Sequence, residues 1–443
     1  MKFQTILLTF FGIMAIVGLI AFSQSPTKKS SNDPKLVGAA GNVEIWGTFP
    51  ENEKLGKMIK SVNDKYKADF SVTYKYHDPV NFDRDIVESL ASDKNPDILL
   101  LPDDLILRHS DKIELINYQL MPSAVFSANF IQAAEIYMRD QGLVALPFAI
   151  DPLVMYWNRD LFNNASITQP PQYWDEFLTM APKLTKRNAK TSDLTQSAVS
   201  FGEYVNVNHA KDIIAMLFLQ VGNPIVRVEG GVPVANVGIK DGTNIVPDQN
   251  IVSAFRFYMD FSNPLKSIYT WSRARSNSKN EFINGDLAVY FDYASANNGL
   301  LKKNPNLNFA VAQVPQPRGT TAQTTFAKVH GLSVLKRSKN KTTAFIAVQQ
   351  LLMDPAFTKD FAAAFDLPPV RRDLLSVKPT DAALSVSYDA AIRARTWLDP
   401  DPAASNVAFQ NMVESVSSGR KDVSNSVESF NTELTAGLAP YKK

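Results

Sequence analysis

The stretch ALPFAIDPLVMYWNRDLF, residues 145–162, is mostly apolar, yet Asp151 and two prolines interrupt it. A buried strand of a parallel sheet is usually a continuous hydrophobic run. Proline is kept out of its interior because it cannot donate to the hydrogen-bond ladder. The interruption therefore predicts that the chain crosses here from one part of the fold to another.

Composition limits the possible classes of protein. The chain has 443 residues, 45% of them hydrophobic, which exceeds the usual size of one domain and favours two lobes. The net charge of +2 gives no reason to expect a nucleic-acid partner. The absence of cysteine excludes disulfides, thiolate nucleophiles and thiolate metal sites. No metal or other cofactor is predicted, because the four histidines lack the spacing of paired ligands on one helix face: His77, His109, His209 and His330.

The N-terminus carries a targeting segment. Residues 6–22 are apolar and uncharged, which is long for a signal-peptide core and just short of the ~20 residues that span a bilayer. Residues 1–23 are therefore interpreted as a signal peptide or an N-terminal membrane anchor, and the polar residues 24–42 as a linker. Both alternatives place the body of the protein outside the cytoplasm.

The first part of the folded chain alternates between strand and helix periodicity. Residues 43–46, 70–76 and 97–102 have strand patterns, and apolar residues recur at helical spacing between them. This order predicts parallel pairing with right-handed crossovers. In such sheets the ligand lies outside the carboxyl ends of the strands, which here are residues 46–48 and 102–104.

Later segments add further elements. Residues 226–242 predict a hairpin or loop insertion, and NEFINGDLAVYFDY, residues 280–293, passes through Gly285 from helix to strand. The C-terminal third is predicted to be helical, with a break at LDPDP, residues 398–402.

Four stretches carry a resemblance to a known family: LPFAIDPLVMYWNRDLF, PPQYWDEFLTMAPKLT, EFINGDLAVYF and SVLKRSKNKTTAFIAVQQLL. Together with the order of elements, they resemble the extracellular solute-binding proteins of sugar-type ABC importers, a family that includes maltose-binding proteins. The resemblance covers residues 43–438. It implies an α/β, two-lobed periplasmic-binding-protein fold of class II, in which each lobe is a sheet flanked by helices and the ligand cleft lies at the hinge.

The resemblance also implies where the chain changes lobe. Residues 43–148 with 332–365 would form lobe I, and residues 149–331 with 366–443 would form lobe II. The segment 146–155 would make the first crossing, which accounts for the interruption at Asp151. The second crossing would lie near Gly331.

Sugar recognition needs carboxylates that accept hydrogen bonds from hydroxyls and aromatic faces that cover pyranose rings. Asp104 and Asp151 match positions where the family places acidic ligand contacts. Each has a structural alternative, because aspartate is also a favoured helix N-cap, which applies to Asp104, and a turn residue, which applies to Asp151 before Pro152.

The aromatic candidates are Trp46, Trp271, Tyr293 and Trp397. Trp46 ends the first strand and could be a ligand contact or a core residue. Trp271 and Trp397 lie in polar surroundings, where an exposed indole predicts cleft lining. The family commonly follows the strand at 287–291 with a glycine and a stacking tryptophan. In this chain Tyr293 replaces that tryptophan, or the subsite is absent.

The expected function is that of an extracytoplasmic receptor that is not an enzyme. It would capture a sugar or oligosaccharide by hinge closure and deliver it to the transmembrane subunits of an ABC permease, acting as a monomer tethered to the membrane by its N-terminal segment or released from it. Two alternatives remain: a binding protein for a non-sugar solute, and a secreted glycoside hydrolase, which requires two carboxylates flanking one bond.

Overall fold

A computed structural model describes residues 41–241, 244–320 and 322–441. The predicted signal peptide or anchor and nearly all of the predicted linker lie outside these residues. Within them, no helix has the length and apolar character needed to cross a bilayer. The first strand begins at Gly41, two residues before the predicted start.

The chain is mixed α/β, as the sequence predicts. The strands are β1 (Gly41–Gly47), β2 (Phe70–Tyr76), β3 (Ile98–Pro102), β4 (Met138–Arg139), β5 (Gly142–Leu143), β6 (Leu146–Asn158), β7 (Lys186–Arg187), β8 (Leu194–Val199), β9 (Val226–Glu229), β10 (Val232–Ala235), β11 (Gly238–Asp241), β12 (Asn244–Pro247), β13 (Leu287–Tyr293), β14 (Phe309–Ala312), β15 (Thr325–Val334) and β16 (Ala394–Arg395). The helices are α1 (Glu53–Tyr66), α2 (Phe82–Ala91), α3 (Ile106–His109), α4 (Ser123–Asn129), α5 (Arg159–Asn164), α6 (Phe177–Leu184), α7 (Ala210–Gln220), α8 (Gln249–Asp260), α9 (Ser278–Asn284), α10 (Ala296–Lys303), α11 (Lys341–Met353), α12 (Pro355–Ala364), α13 (Arg372–Leu375), α14 (Ala382–Arg393), α15 (Pro402–Ser417) and α16 (Val423–Leu438).

The main sheet has the strand order β2-β1-β3-β15-β6-β13-β8-β7, with β14 added on β6 and β16 on β15. β1 pairs in parallel with both β2 and β3, which confirms the parallel arrangement predicted for the first part of the chain. β15 runs antiparallel to β3 and to β6. The two long strands β6 and β15 therefore lie side by side in the middle of the sheet.

Local sequence explains where α1 begins. The helix begins at Glu53, where the side chain of the preceding Asn52 accepts a hydrogen bond from the backbone N–H of Leu55. An N-cap of this kind satisfies a donor that the first turn leaves without a partner. Leu55 and Met58 follow on the buried side of the helix.

The buried apolar side chains form two hydrophobic clusters. The first core contains residues of β1–β3, α1, α2, α11 and α12. The second core contains residues of α6–α9, β8, β13, α15 and α16. β6 contributes to both, since its residues 146–150 pack in the first core and 153–156 in the second. Asp151 lies between these two groups, as expected for a crossing strand.

β15 makes the second crossing. Phe326 packs in the second core, whereas Ala327 and Val329 pack in the first. The change of core thus occurs before the predicted position at Gly331. After residue 366, Leu367 and Ala394 still pack in the first core. The division of the chain into two lobes stays a prediction.

Candidate functional site

A cleft of about 1070 Å³ lies between side chains of the two cores. Thr48 and Asp104, which follow the carboxyl ends of β1 and β3, contribute to one wall. The opposite wall includes residues at the start of α7 and α15, and β15 contributes side chains from the crossing. Its charged and histidine side chains are Asp83, Asp104, Arg108, His209, Lys211, Asp212, Lys328, His330 and Asp401.

Asp104 presents an unengaged carboxylate to this cleft. It lies in a short 3₁₀ turn, Asp103–Leu105, and is half-buried. Within the described residues its carboxylate accepts no hydrogen bond and forms no ion pair. The N-cap alternative is therefore not realised, because Asp104 does not cap the helix that follows.

The neighbouring Asp103 has a structural role. Its buried carboxylate accepts hydrogen bonds from the backbone N–H of Val329, at 3.1 Å, and from the hydroxyl of Thr396. Burial and the adjacent charge of Asp104 raise the pKa of Asp103 to about 7. Asp103 thus connects the end of β3 to β15 and to the segment after β16.

Lys328 brings a positive charge into the cleft from β15, directly opposite Asp151 of β6. Its ammonium lies 5.3 Å from the centroid of the Tyr293 ring. Burial lowers the pKa of Lys328, but the carboxylates of Asp212 and Asp104, with smaller contributions from others nearby, outweigh burial and raise it above its usual value. The lysine is therefore protonated at neutral pH.

Tyr293 is buried beneath this lysine. Its hydroxyl donates to the carboxylate of Asp212 at 2.7 Å, and burial is the main cause of its raised pKa. The Lys328 ammonium lies against the Tyr293 ring, and the His209 ring lies beside it, at 4.8 Å between ring centroids. These contacts already occupy much of the surroundings of the Tyr293 ring. A ligand contact by Tyr293 stays a prediction.

His209 precedes α7 with a left-handed backbone, φ 58°, which is uncommon for a residue other than glycine. Its Nε2 lies 2.9 Å from Oδ1 of Asp292 and its Nδ1 3.7 Å from Asp212. Strained residues held in place by surrounding contacts often occur at functional sites. The sequence alone indicated nothing more for this histidine than an isolated surface residue.

The other cations of the cleft are paired. Arg108 forms ion pairs with Asp83 and with Asp401. Lys211 pairs with the buried Asp399 at 2.5 Å. In the described part of the chain, the half-buried Asp104 and Lys328 are charges of the cleft that form no ion pair.

Comparison with known proteins assigns the family. Residues 57–385 match the model of the bacterial extracellular solute-binding proteins. The chain belongs to this family.

Relatives and solved structures agree with that assignment. A binding protein of Brucella abortus and one of Brucella suis are each 28% identical over 228 residues, which cover 51% of this chain and 49% of theirs. The chain thus matches about half the length of these relatives.

Three solved structures resemble this solute-binding protein. They are the cyclic α-maltosyl-1,6-maltose binding protein of Arthrobacter globiformis (TM-score 0.72, 16% identity, 90% of this chain and 99% of that one), the sugar-binding protein MalE of Xanthomonas citri (0.70, 19%, 90% and 98%) and a solute-binding protein of Thermotoga lettingae bound with α-D-tagatose (0.67, 16%, 90% and 100%). At these identities the likeness shows the fold. The two-lobed periplasmic-binding-protein fold predicted from the sequence is confirmed.

Asp151, the first acid noted in the sequence, is already engaged in this solute-binding protein. Its carboxylate accepts hydrogen bonds from the backbone N–H of Ser295, at 3.1 Å, and from the Ser295 hydroxyl, at 2.5 Å. Burial raises the pKa of Asp151 to about 6, although both hydrogen bonds lower it. The carboxylate connects β6 to the start of α10. A ligand contact by Asp151 stays a prediction.

The three tryptophan candidates are buried. Trp46 packs in the first core, with its ring centroid 4.1 Å from that of His77, which fits the core alternative. Trp271 has no exposed surface, and its indole N–H donates to Asn206 at 3.2 Å. Trp271 therefore packs in the second core and does not line the cleft, and the Asn206 amide satisfies its polar atom.

Trp397 also packs in the second core, against Phe409. One face of its ring lies 5.6 Å from the ammonium of Lys211, a residue of the cleft wall. The indole itself lines a separate cavity of about 190 Å³. Trp397 therefore lies behind Lys211 and does not itself line the cleft.

Proposed function

We propose that the cleft captures a sugar or oligosaccharide and that the two lobes close on it. The observation that carries this proposal is the pair of unengaged polar groups in the cleft, the carboxylate of Asp104 and the ammonium of Lys328. Hydroxyl groups donate to the first and accept from the second. Two structural neighbours support the same class of solute, because one is a cyclic α-maltosyl-1,6-maltose binding protein and the other is bound with α-D-tagatose.

Closure would follow from the position of the cleft. β6 and β15 are the strands that cross between the cores, so bending at these strands would change the distance between the walls. A solute that contacts both walls only when they are close has a higher affinity for the closed state and shifts the equilibrium towards it.

The proposal extends to location and partners. Family membership places the protein outside the cytoplasm. We infer that residues 1–23 anchor it to the membrane or direct its secretion, that it acts as a monomer, and that it delivers the solute to the transmembrane subunits of an ABC permease. Catalysis is not part of the proposal, because the family consists of binding proteins and Asp151 already bonds to Ser295.

A thermal-shift screen of the full chain tests the function. The protein is purified in a detergent without a sugar headgroup and screened against neutral mono- and oligosaccharides, amino acids, peptides and polyamines. We expect a sugar to raise the melting temperature and to reduce the radius of gyration in small-angle scattering, without release of smaller sugars. Stabilisation by a non-sugar solute alone, or hydrolysis of an oligosaccharide, would contradict the proposal.

A further inference from the structure

Lys328 differs from the other cations of the cleft. Arg108 and Lys211 each form an ion pair with a carboxylate, whereas Lys328 forms none and its ammonium donates no hydrogen bond within the described residues. An ammonium carries three N–H donors. Half-buried donors without partners are costly unless another group satisfies them, and the open side of this ammonium is the cleft.

The side chain of Lys328 is held in place from several sides. Its backbone pairs with Asp151 in the middle of the sheet, where the chain crosses between the cores. The Tyr293 ring lies beneath the ammonium, and the hydroxyl of that ring is fixed by Asp212. The donor is therefore positioned before a solute arrives, which reduces the entropy lost on binding.

Negative charge surrounds this donor. The carboxylates of Asp103, Asp104, Asp151 and Asp212 all act on Lys328 and favour its charged form. Two of these carboxylates, Asp104 and Asp212, also act on Lys211, so four acids face two lysines in this part of the cleft. A solute group with its own negative charge would meet more carboxylates than ammonium groups, whereas an uncharged oxygen would meet no such repulsion.

We propose that Lys328 is a specificity-determining residue: its ammonium donates to an uncharged hydroxyl or carbonyl oxygen of the solute, a neighbouring solute hydroxyl donates to Asp104, and solutes with a carboxylate or phosphate at this position are rejected. The inference rests on the proposed sugar-binding function and narrows it to neutral sugars. Two adjacent hydroxyl groups of a sugar ring fit this arrangement, because a hydroxyl can both accept and donate.

Calorimetric titration of the full chain tests the solute class. Two matched pairs compare a neutral sugar with an acidic one: glucose with glucose 6-phosphate, and galactose with galacturonic acid. Tagatose, maltotetraose and mannotriose are further neutral probes, and a galacturonic acid trimer is the acidic oligosaccharide compared with the last two. We expect binding of at least one neutral sugar. Its acidic counterpart should bind at least about tenfold more weakly, because of the surrounding carboxylates.

Substitution of Lys328 tests the residue. Lys328→Met should weaken binding of the neutral sugar by about ten- to hundredfold, as expected for the loss of a charged hydrogen-bond donor. Lys328→Gln keeps an uncharged donor and should give an intermediate affinity. Lys336→Met is the matched control, since Lys336 lies just beyond the end of β15, is exposed and donates to the backbone of Asp111. Circular dichroism shows which variants remain folded.

The outcomes separate the two proposals. A folded Lys328→Met variant with wild-type affinity for the neutral sugar would overturn the role of Lys328 and leave sugar binding intact. Preferential binding of the acidic member of a pair would overturn the neutral-solute class alone. If the wild-type chain binds none of the sugars, both the proposed function and this inference fail.

Discussion

Arg108 and Asp401 form an ion pair that joins the two walls of the cleft. Arg108 belongs to α3, whose Ile106 packs in the first core, and Asp401 immediately precedes α15, whose Phe409 packs in the second. One oxygen of Asp401 caps α15 by accepting hydrogen bonds from two backbone N–H groups. The other oxygen accepts a hydrogen bond from the guanidinium of Arg108. The pair is therefore one contact between the cores, beside Leu107 of α3, which packs in the second core.

Arg108→Gln should shift the ligand-free protein towards a more open state, because the pair must break when the walls separate. Both side chains are about one-third exposed, so the pair contributes about 0.2–1 kcal/mol and its effect falls with added salt. We expect a larger radius of gyration at low salt and an affinity for the bound sugar up to about fivefold weaker.

Arg84→Gln is the control for this change, because Arg84 is exposed and pairs within its own helix, α2. Asp401→Asn is a second test, since asparagine can still cap α15 while losing the charge. If neither Arg108→Gln nor Asp401→Asn changes the radius or the affinity, the pair does not hold the walls together.

Asp104→Asn should weaken sugar binding about tenfold or more without lowering the melting temperature. The carboxylate has no partner within the described residues, so its removal leaves no protein group unsatisfied, whereas a solute hydroxyl would lose a charged acceptor. Titration and thermal unfolding of the same variant measure both effects, with the exposed Asp64→Asn as control. A lower melting temperature with unchanged affinity would assign Asp104 to the fold instead.

The sequence was sufficient to predict the crossing strand and the strand ends that form the cleft. Asp151 and the prolines mark an interruption that the structure places between the two cores, and Asp104 follows the carboxyl end of β3. Both features depend on local pattern and on the geometry of parallel sheets, which is why the sequence alone indicated them, whereas the lobe boundaries and the ligand contacts stay predictions.

Other features of the cleft could not be read from local sequence. Lys328 is a single charge within an apolar strand, and its carboxylate neighbours Asp104 and Asp212 lie more than a hundred residues away in the chain. The polar residues around Trp271 indicated exposure, but Asn206, distant in sequence, satisfies its indole in the core. Partnerships of this kind depend on tertiary packing.

Asp103 should make stability depend on pH. Burial and the charge of Asp104 raise its pKa to about 7 in the folded protein, above the ~3.9 of an unfolded chain. The folded state therefore binds the proton more tightly, so the contribution of Asp103 to stability is present below pH ~4, is lost progressively as pH rises to about 7, and does not change above that.

Asp103→Asn removes this titration. The melting temperature of the variant relative to wild type should rise as pH increases from 4 to 7 and then level off. Half-buried His330, whose pKa desolvation lowers to about 3, acts in the opposite direction below pH ~6.5, but it is present in both proteins and cancels in the difference. A difference that is constant across this range would show that Asp103 does not titrate there.

Asp151→Ala should destabilise the ligand-free protein, because the backbone N–H and the hydroxyl of Ser295 would both lose their acceptor. Hydrogen bonds to a charged group contribute about 1.5–3 kcal/mol, and the burial that raises the pKa of Asp151 offsets part of this, so we expect a loss of about 1–2 kcal/mol in the free energy of unfolding. Denaturant unfolding measures it.

Ser295→Ala separates the structural role of Asp151 from ligand contact. It removes the hydroxyl bond and keeps the backbone one, so its effect should be smaller, and the double variant should cost less than the sum of the single changes because the two residues act together. Sugar affinity should change little in Ser295→Ala. If Asp151→Ala instead keeps wild-type stability and loses affinity about tenfold or more, the carboxylate contacts the solute, and its bonds to Ser295 are not what stabilises the crossing.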